Sequence, residues 1–245
     1  MHALFFTAYD RPQYLHDTLR SWEKVRGIQD WHVQMRIEPS HRQGDIYDLF
    51  HVFAETMMLR SYEIVVNPEV YGVLHHPYVG FRDLFLKHDF VVRTEDDLIV
   101  SDDVLEYFTW AEEHYRQASG VATVHGFSRG RGQHDEVITN PEFNPWVWGT
   151  WKPVWDTVLE HTWDHAYTTY NVSPGFQSGW DWNINTRIFP KYGYRGAYPV
   201  TSRVDNIGYY GVHGTPDIIE KAPAFQEVYG TLNYREFAPE KVDTH

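Results

Sequence analysis

Three consecutive acids, Glu95-Asp96-Asp97, close the apolar run Phe90-Val91-Val92-Arg93-Thr94 and are the residues of this chain best suited to chemistry. Adjacent carboxylates repel one another and are comfortable only in water or beside a cation. Two readings follow from the acids alone. One is a solvated turn that primes the next helix, with Ser101 as its cap and Asp102 and Asp103 at its positive end. The other is a buried strand that delivers carboxylates to the rim of an open α/β sheet, where such sheets bind phosphorylated ligands and their metals. A further acid, Asp181, stands between Trp180 and Trp182. Apolar surroundings disfavour its ionised form and suit it to take a proton, while a helix-capping aspartate is the plainer alternative. In Asp10-Arg11-Pro12 the guanidinium can meet a diphosphate and the acid can accept hydrogen bonds from a base or ribose, or the pair can serve as a cap and a surface ion pair. His213, between glycines in Gly211-Val212-His213-Gly214, is open to a metal or a diphosphate. Arg129, Arg131 and His134 lie in a glycine-rich stretch over 126–135, which reads as a phosphate clamp or as a solvated linker.

These groups need elements to hold them. Residues 3–9 form a continuous apolar run, expected as a central strand, and Pro12 opens a helix with Leu15, Leu19, Trp22 and Val25 on one face and Gly27 as its stop. Residues 32–37 alternate as a second strand that ends at Glu38, and residues 63–66 make a third. Helices are expected over 46–58 and 79–87, and from near Asp102 with Val104, Leu105, Phe108, Ala111 and Tyr115 facing the core. Residues 121–124 and 198–204 read as further strands, and 182–188 as a short helix. Alternation of strand and helix over the first half predicts an α/β fold with a mainly parallel sheet and right-handed crossovers. Trp146, Trp148, Trp151 and Trp155 follow one another closely, with Pro145 and Pro153 interrupting any long helix. They line either a sugar-binding wall or the second half of the core.

Composition narrows the classes. The chain has 245 residues, 42% hydrophobic, enough for one domain, and no cysteine, which removes disulfides, thiolate metal sites and cysteine nucleophiles. The segment 1–9 is too short for a signal peptide and no run approaches a membrane span, so a cytoplasmic protein without membrane attachment is expected, as a monomer or weak oligomer. A formal net charge of −13 opposes loose attachment to nucleic acid or anionic lipid.

The first strand with Asp10-Arg11-Pro12 and the Leu15-Leu19 helix, then Glu95-Asp96-Asp97-Leu98 with residues 101–108, then Trp180-Asp181-Trp182, then Ser202-Arg203 ahead of residues 211–214, occur in the same order in glycosyltransferases of the N-acetylglucosaminyltransferase I type. The resemblance covers residues 4–214, by motif order rather than close identity. It implies a GT-A fold with a Rossmann-like central sheet flanked by helices, a nucleotide-sugar-binding half over 1–125 and an acceptor-binding half over 126–245. By the same resemblance Asp97 ligates a divalent metal, Mn2+ or Mg2+, with His213 as a second ligand. Thr7, Asp10, Arg11, Glu38, Glu95, Asp96 and Arg203 hold a UDP-sugar, Trp148, Trp180 and Trp182 face the acceptor, and Asp181 is the general base. The spacing around His213 and the Tyr209-Tyr210 pair depart from the family.

The expected activity is an inverting, metal-dependent hexosyl or N-acetylhexosaminyl transfer from a UDP-sugar to a hydroxyl. A glycan, a protein, a metabolite or a hydroxymethylated base of viral DNA would each supply that hydroxyl, and Arg129, Arg131 and several Trp are available to grip DNA. The absence of the Golgi enzymes' anchor and cysteines points to a bacterial or phage protein. A non-catalytic sugar- or nucleotide-binding protein and a metal phosphohydrolase are the other classes, and intact Asp97 and Asp181 speak against the first.

Overall fold

A computed structural model describes residues 2–129, 136–165 and 179–208. Strand β1 (His2–Ala8) is apolar and buried nearly throughout because both of its faces are covered. Leu4, Phe6 and Ala8 point into one core cluster, while Ala3 and Phe5 point into the other. It leads into α1 (Pro12–Trp22), whose buried face carries Leu15, Leu19 and Trp22 as the spacing predicts. There follow β2 (His32–Ile37), α2 (Gln43–Thr56), β3 (Tyr62–Val66), α3 (Gly72–Phe85), β4 (Phe90–Glu95), β5 (Leu98–Val100), α4 (Val104–Tyr115) and β6 (Val121–His125). Helix α4 buries all five of the residues assigned to its inner face.

Beyond residue 125 lie β7 (Val137–Asn140), β8 (Trp148–Trp151), β9 (Arg195–Pro199) and β10 (Val204–Asn206). One helical run comprises α5 (Lys152–Val154), a π-helical turn (Trp155–Leu159) and α6 (Glu160–Thr162). Another comprises α7 (Trp180–Asn183), a π-helical turn (Ile184–Ile188) and α8 (Phe189–Tyr192). Eight strands form one sheet in the order β3-β2-β1-β4-β8-β6-β9-β7, and β5 with β10 forms a separate ribbon. The strands β3, β2, β1 and β4 run parallel, β8 is antiparallel to β4 and β6, and β9 runs parallel to β6. The sheet thus passes without a break from the first half of the chain into the second.

Several expected boundaries move. The helix expected over 79–87 begins at Gly72, with Pro77 inside it. Its N-terminus is held by Glu38, which accepts backbone N–H bonds from Tyr71 and Gly72 at 2.8 and 3.0 Å. A cap delivered from another strand leaves no local signal. Helix α1 stops at Trp22, and Gly27 instead takes the left-handed turn at φ 76° that enters the next short 3-10 turn. The single strand expected over 198–204 is the end of β9 and the start of β10, with a bend between them. The Trp-rich stretch is core. Trp148, Trp151 and Trp155 are buried, and Trp148 stands in the strand between β4 and β6.

Helix α3 lies on the sheet face beside β1, the arrangement that brings Phe81 edge-on to Phe5 at 4.9 Å. Gly80 permits that approach, since a Cβ there would fall 2.4 Å from the Phe5 ring. Among the described residues no helix is long and apolar enough to cross a membrane.

Candidate functional site

The acid run sits where its strand order requires. Strand β4 ends at Glu95, and Asp96 and Asp97 form the tight turn into β5. Beside it in register, β1 pairs Thr7 with Glu95 and then gives way to the turn that carries Asp10 and Arg11. Parallel neighbours place these two carboxyl ends on one rim, so Arg11 reaches across to the acids. Its guanidinium pairs with Asp96 through one nitrogen and with Asp97 Oδ2 through the other at 2.9 Å. Asp96 is anchored further by its carbonyl, which accepts the Thr18 hydroxyl at 2.9 Å.

The solvated-turn reading is therefore overturned, since Asp96 and Asp97 are 3% and 8% exposed. Ser101 does not cap the next helix either. It is buried and donates to Asp103, which occupies the N-cap position. Burial raises Asp96 to about 7, with Asp97 and Glu95 adding repulsion and Arg11 opposing both. Burial likewise raises Asp97, reinforced by Glu95 and opposed by Arg11. Burial alone would lower the Arg11 guanidinium, but Asp96 and Asp97 outweigh it and raise it. One guanidinium is thus shared between two buried carboxyl groups whose ionised forms burial disfavours.

The chain's later segments close over this turn. Strand β10 pairs antiparallel with β5, Asn206 opposite Leu98, and the Ile207 N–H donates to the Asp97 carbonyl at 2.9 Å. Gly208 then passes so near the carboxylate that a Cβ would lie 2.3 Å from Asp97 Oδ2. Sequence reading assigned Gly208 no role, because its constraint comes from a residue more than a hundred positions away.

Asp181 occupies the first turn of α7, directly after Trp180, which packs in one core cluster with Phe5 and Val91 and lies against Arg93. Burial raises the Asp181 pKa, the backbone N–H groups of Trp182 and Asp181 oppose the rise, Glu95 adds to it and Arg93 offsets it. The N-cap position of this helix is held by Gly179, so Asp181 lies inside the first turn and does not occupy the cap.

Arg93, mid-strand in β4, is a buried charge to which the sequence alone assigned no role. It is 2% exposed and donates to Glu95 Oε1 at 2.9 Å and to Thr7 Oγ1 at 3.3 Å, with its guanidinium carbon 5.2 Å from the Trp180 ring centroid. An arginine inside an otherwise apolar central strand was the available signal, because charged side chains are rarely buried without a partner.

Other expected site residues do something else. Glu38, expected at the donor, is buried, and its oxygens are taken up by the α3 terminus and by His76 Nδ1 at 3.2 Å. Burial raises the Glu38 pKa, and burial together with Arg93 and Arg36 lowers that of His76. Arg203 is 1% exposed, pairs with Asp103 at 3.2 Å, donates to the Thr201 carbonyl at 2.9 Å and lies over Tyr107. A guanidinium enclosed in that way holds β10 to α4 and is not presented to a donor. Trp148 and Trp180 were expected against the acceptor, but both are core residues. Trp180 stacks on Trp163 at 4.9 Å and on Trp148 at 5.8 Å while Arg93 lies against it, which leaves no ring face for a sugar. Trp182 is half-buried, as is Asp10, and Thr7 is buried at the carboxyl end of β1. His213, Arg131 and His134 lie outside the described residues.

Among the described residues no group of three or more His, Asp or Glu side chains is arranged to hold a metal ion. The donor chemistry still fits a hard divalent cation, which takes one or two carboxylates and completes its shell with water and substrate phosphate oxygens. The position of Asp96 and Asp97 at the carboxyl end of β4 suits that arrangement.

No protein-family model matches the chain, and neither does any curated protein. Solved structures do. The mannosyltransferase PcManGT from Pyrobaculum calidifontis, in complex with GDP-Man and Mn2+, superposes with a TM-score of 0.55 at 14% identity over 82% of this chain and 57% of that one. S. aureus TarS 1-349 in complex with UDP gives 0.57 at 12% identity over 83% and 59%. GalNAc-T7 with UDP, GalNAc and Mn2+ gives 0.57 at 10% identity over 92% and 47%. The fold is of the GT-A type. The chain spans about half to three-fifths of the length of these structures. At such low identity the likeness establishes the fold, and it does not single out the N-acetylglucosaminyltransferase I group.

Proposed function

We propose that this chain is a metal-dependent inverting glycosyltransferase that moves a hexosyl or N-acetylhexosaminyl group from a UDP-sugar to an acceptor hydroxyl. The observation that carries the reading is the pairing of Arg11, at the end of β1, with Asp96 and Asp97, at the end of β4, while Arg93 joins Glu95 to the indole that precedes Asp181. The nucleotides and Mn2+ named for the solved structures of the same fold support the donor class and the metal. On this reading residues 1–125 bind the donor and 126–245 the acceptor within one domain.

Asp97 would hold the divalent cation, Mn2+ or Mg2+, which when bound neutralises charge on the departing diphosphate. Arg11 faces the diphosphate and keeps the two aspartates from repelling each other apart. Glu95, Asp96 and Asp10 accept hydrogen bonds from the ribose and base, and Thr7 lines the floor below them. Asp181, its proton affinity raised by burial, accepts the proton of the acceptor hydroxyl as that oxygen bonds to the anomeric carbon and the bond to the diphosphate breaks. A single base opposite the leaving group gives inversion. Trp182, half-buried beside Asp181, meets the acceptor.

The test is a screen of UDP-sugars and GDP-Man with Mn2+ against glycan, protein, metabolite and hydroxymethylated DNA acceptors, with products read by mass. A sugar-bearing product that disappears in EDTA and in Asp181→Asn supports the reading. Undiminished transfer in EDTA removes the metal from Asp97, and hydrolysis of the donor without dependence on an acceptor points to a phosphohydrolase instead.

A further inference from the structure

Arg93 is buried in β4, a strand that otherwise carries only apolar or hydroxyl side chains before its terminal acid. Its position in the sheet, opposite Phe5 of β1 and Trp148 of β8, puts it at the seam between the parallel and antiparallel strands. From that seam it touches both sides of the proposed site. One nitrogen donates to Glu95 at 2.9 Å, the adjoining one to Thr7 at 3.3 Å, and the flat guanidinium lies 5.2 Å from the centroid of Trp180. Nε is buried without a partner. A guanidinium so far from water is unfavourable unless its charge is used. Trp180 is the residue immediately before Asp181, and its indole N–H is fixed at 3.2 Å on the Val73 carbonyl.

We infer that Arg93 is a positioning residue that fixes the Trp180-Asp181 turn against the donor-side carboxylate Glu95 and so sets the acceptor base relative to the donor. The inference rests on the transferase reading for its kinetic consequences but not for its geometry. Glu95 carries the same charge as Asp181 and adds to the upward push on its pKa. The charged groups acting on Asp181 are Glu95, which opposes its ionisation, and Arg93, which favours it. On its own helix only the backbone N–H groups of Asp181 and Trp182 stabilise the ionised form. Arg93 holds Glu95 by a direct ion pair and holds the indole before Asp181 by a cation–π contact, so its fork joins the two.

The experiment compares Arg93→Met, which fills the space without charge, with Arg93→Lys, which restores charge without the planar fork. In Arg93→Met, kcat at pH 7 is expected to fall at least about tenfold while the donor KM stays within about threefold, and the acid limb of the kcat profile moves to higher pH. In Arg93→Lys the limb returns towards the wild-type position, with kcat still reduced because one ammonium cannot pair with Glu95, reach Thr7 and stack on Trp180 together. A limb that does not move in Arg93→Met, or a Lys variant no better than Met, overturns the inference. Circular dichroism and a melting curve on each variant separate lost folding from lost positioning. A readout without turnover is the titration of the Asp181 carboxyl by 13C NMR, assigned with Asp181→Asn. Its midpoint should rise in Arg93→Met and recover in Arg93→Lys, and a midpoint unmoved in folded Arg93→Met overturns the inference. Failure of every donor to support transfer in the wild type would sink the transferase reading and leave this titration to decide the role of Arg93 by itself.

Discussion

Replacing Arg203 by Leu separates a structural arginine from a donor-binding one. Arg203 and Asp103 are each 1% exposed, and Asp103 otherwise keeps the Ser101 hydroxyl as a partner. Removing one member of such a pair leaves a buried carboxylate without its cation, a loss of about 3–5 kcal/mol. A chain of 245 residues unfolds with an entropy of about 0.5 kcal/mol/K near its midpoint, so the melting temperature should drop by about 6–10 °C. The pH dependence has a definite sign. Burial raises the Asp103 pKa and Arg203 opposes the rise. Without Arg203 the folded-state pKa climbs further above its unfolded value, so the penalty applies to the ionised form and fades as pH falls through the folded-state pKa. The deficit of Arg203→Leu against wild type should therefore be larger at pH 8 than at pH 5. Adding Asp103→Asn, which removes the stranded charge and keeps an acceptor for Ser101, should recover at least half of the loss, a coupling of about 2 kcal/mol. Urea or thermal melts by circular dichroism at the two pH values, with UDP binding by calorimetry, make the assay. A destabilisation under about 1 kcal/mol, or a folded Arg203→Leu that has lost UDP binding, would refute the buried-pair account and restore Arg203 to the donor site.

Two further outcomes follow from contacts of the same kind. Gly208→Ala places a Cβ 2.3 Å from Asp97 Oδ2; overpacking of that sort costs about 1–3 kcal/mol, and the Mn2+-dependent affinity for UDP should weaken at least about tenfold, so unaltered binding in the calorimeter would contradict the placement of Asp97. Glu112 is buried against His2 and Arg116, whose hydrogen bonds outweigh the upward push of burial and bring its pKa down to about 2. Its contribution to stability is present above the unfolded value of 4.5 and is lost as pH falls towards about 2, up to about 3 kcal/mol. The stability curves of wild type and Glu112→Gln should converge over that window, and parallel curves would exclude the assignment.

The difference between what was legible and what was hidden follows the range of the interactions. Strands β1, β2 and β4 and the inner faces of α1 and α4 were readable because apolar periodicity reports burial within a few residues of itself. The beginning of α3 was not, because its cap is Glu38 from another strand. Strand β8 was obscured because Trp148 and Trp151, buried on both faces of a sheet, carry no alternation and stand between prolines. Sequence alone also left the Trp cluster equally open to a sugar or to the core, and only stacking distances decided that Trp148 and Trp180 are packing residues.

For the site, the sequence by itself determined which residues can supply chemistry: an acid triplet after a buried strand, an arginine after the first strand, and an acid between two indoles. Their order also matched one family, and from that order the fold class followed. Tertiary structure alone decided which of them meet. Asp96 and Asp97 are distinguished from a solvated turn by Arg11, Arg203 and Glu38 are withdrawn from the site by Asp103 and the α3 terminus, and Gly208 and Arg93 are brought into it. The physical reason is that a carboxylate's role depends on its solvation and on the charge facing it, and both are set by residues far away in the chain.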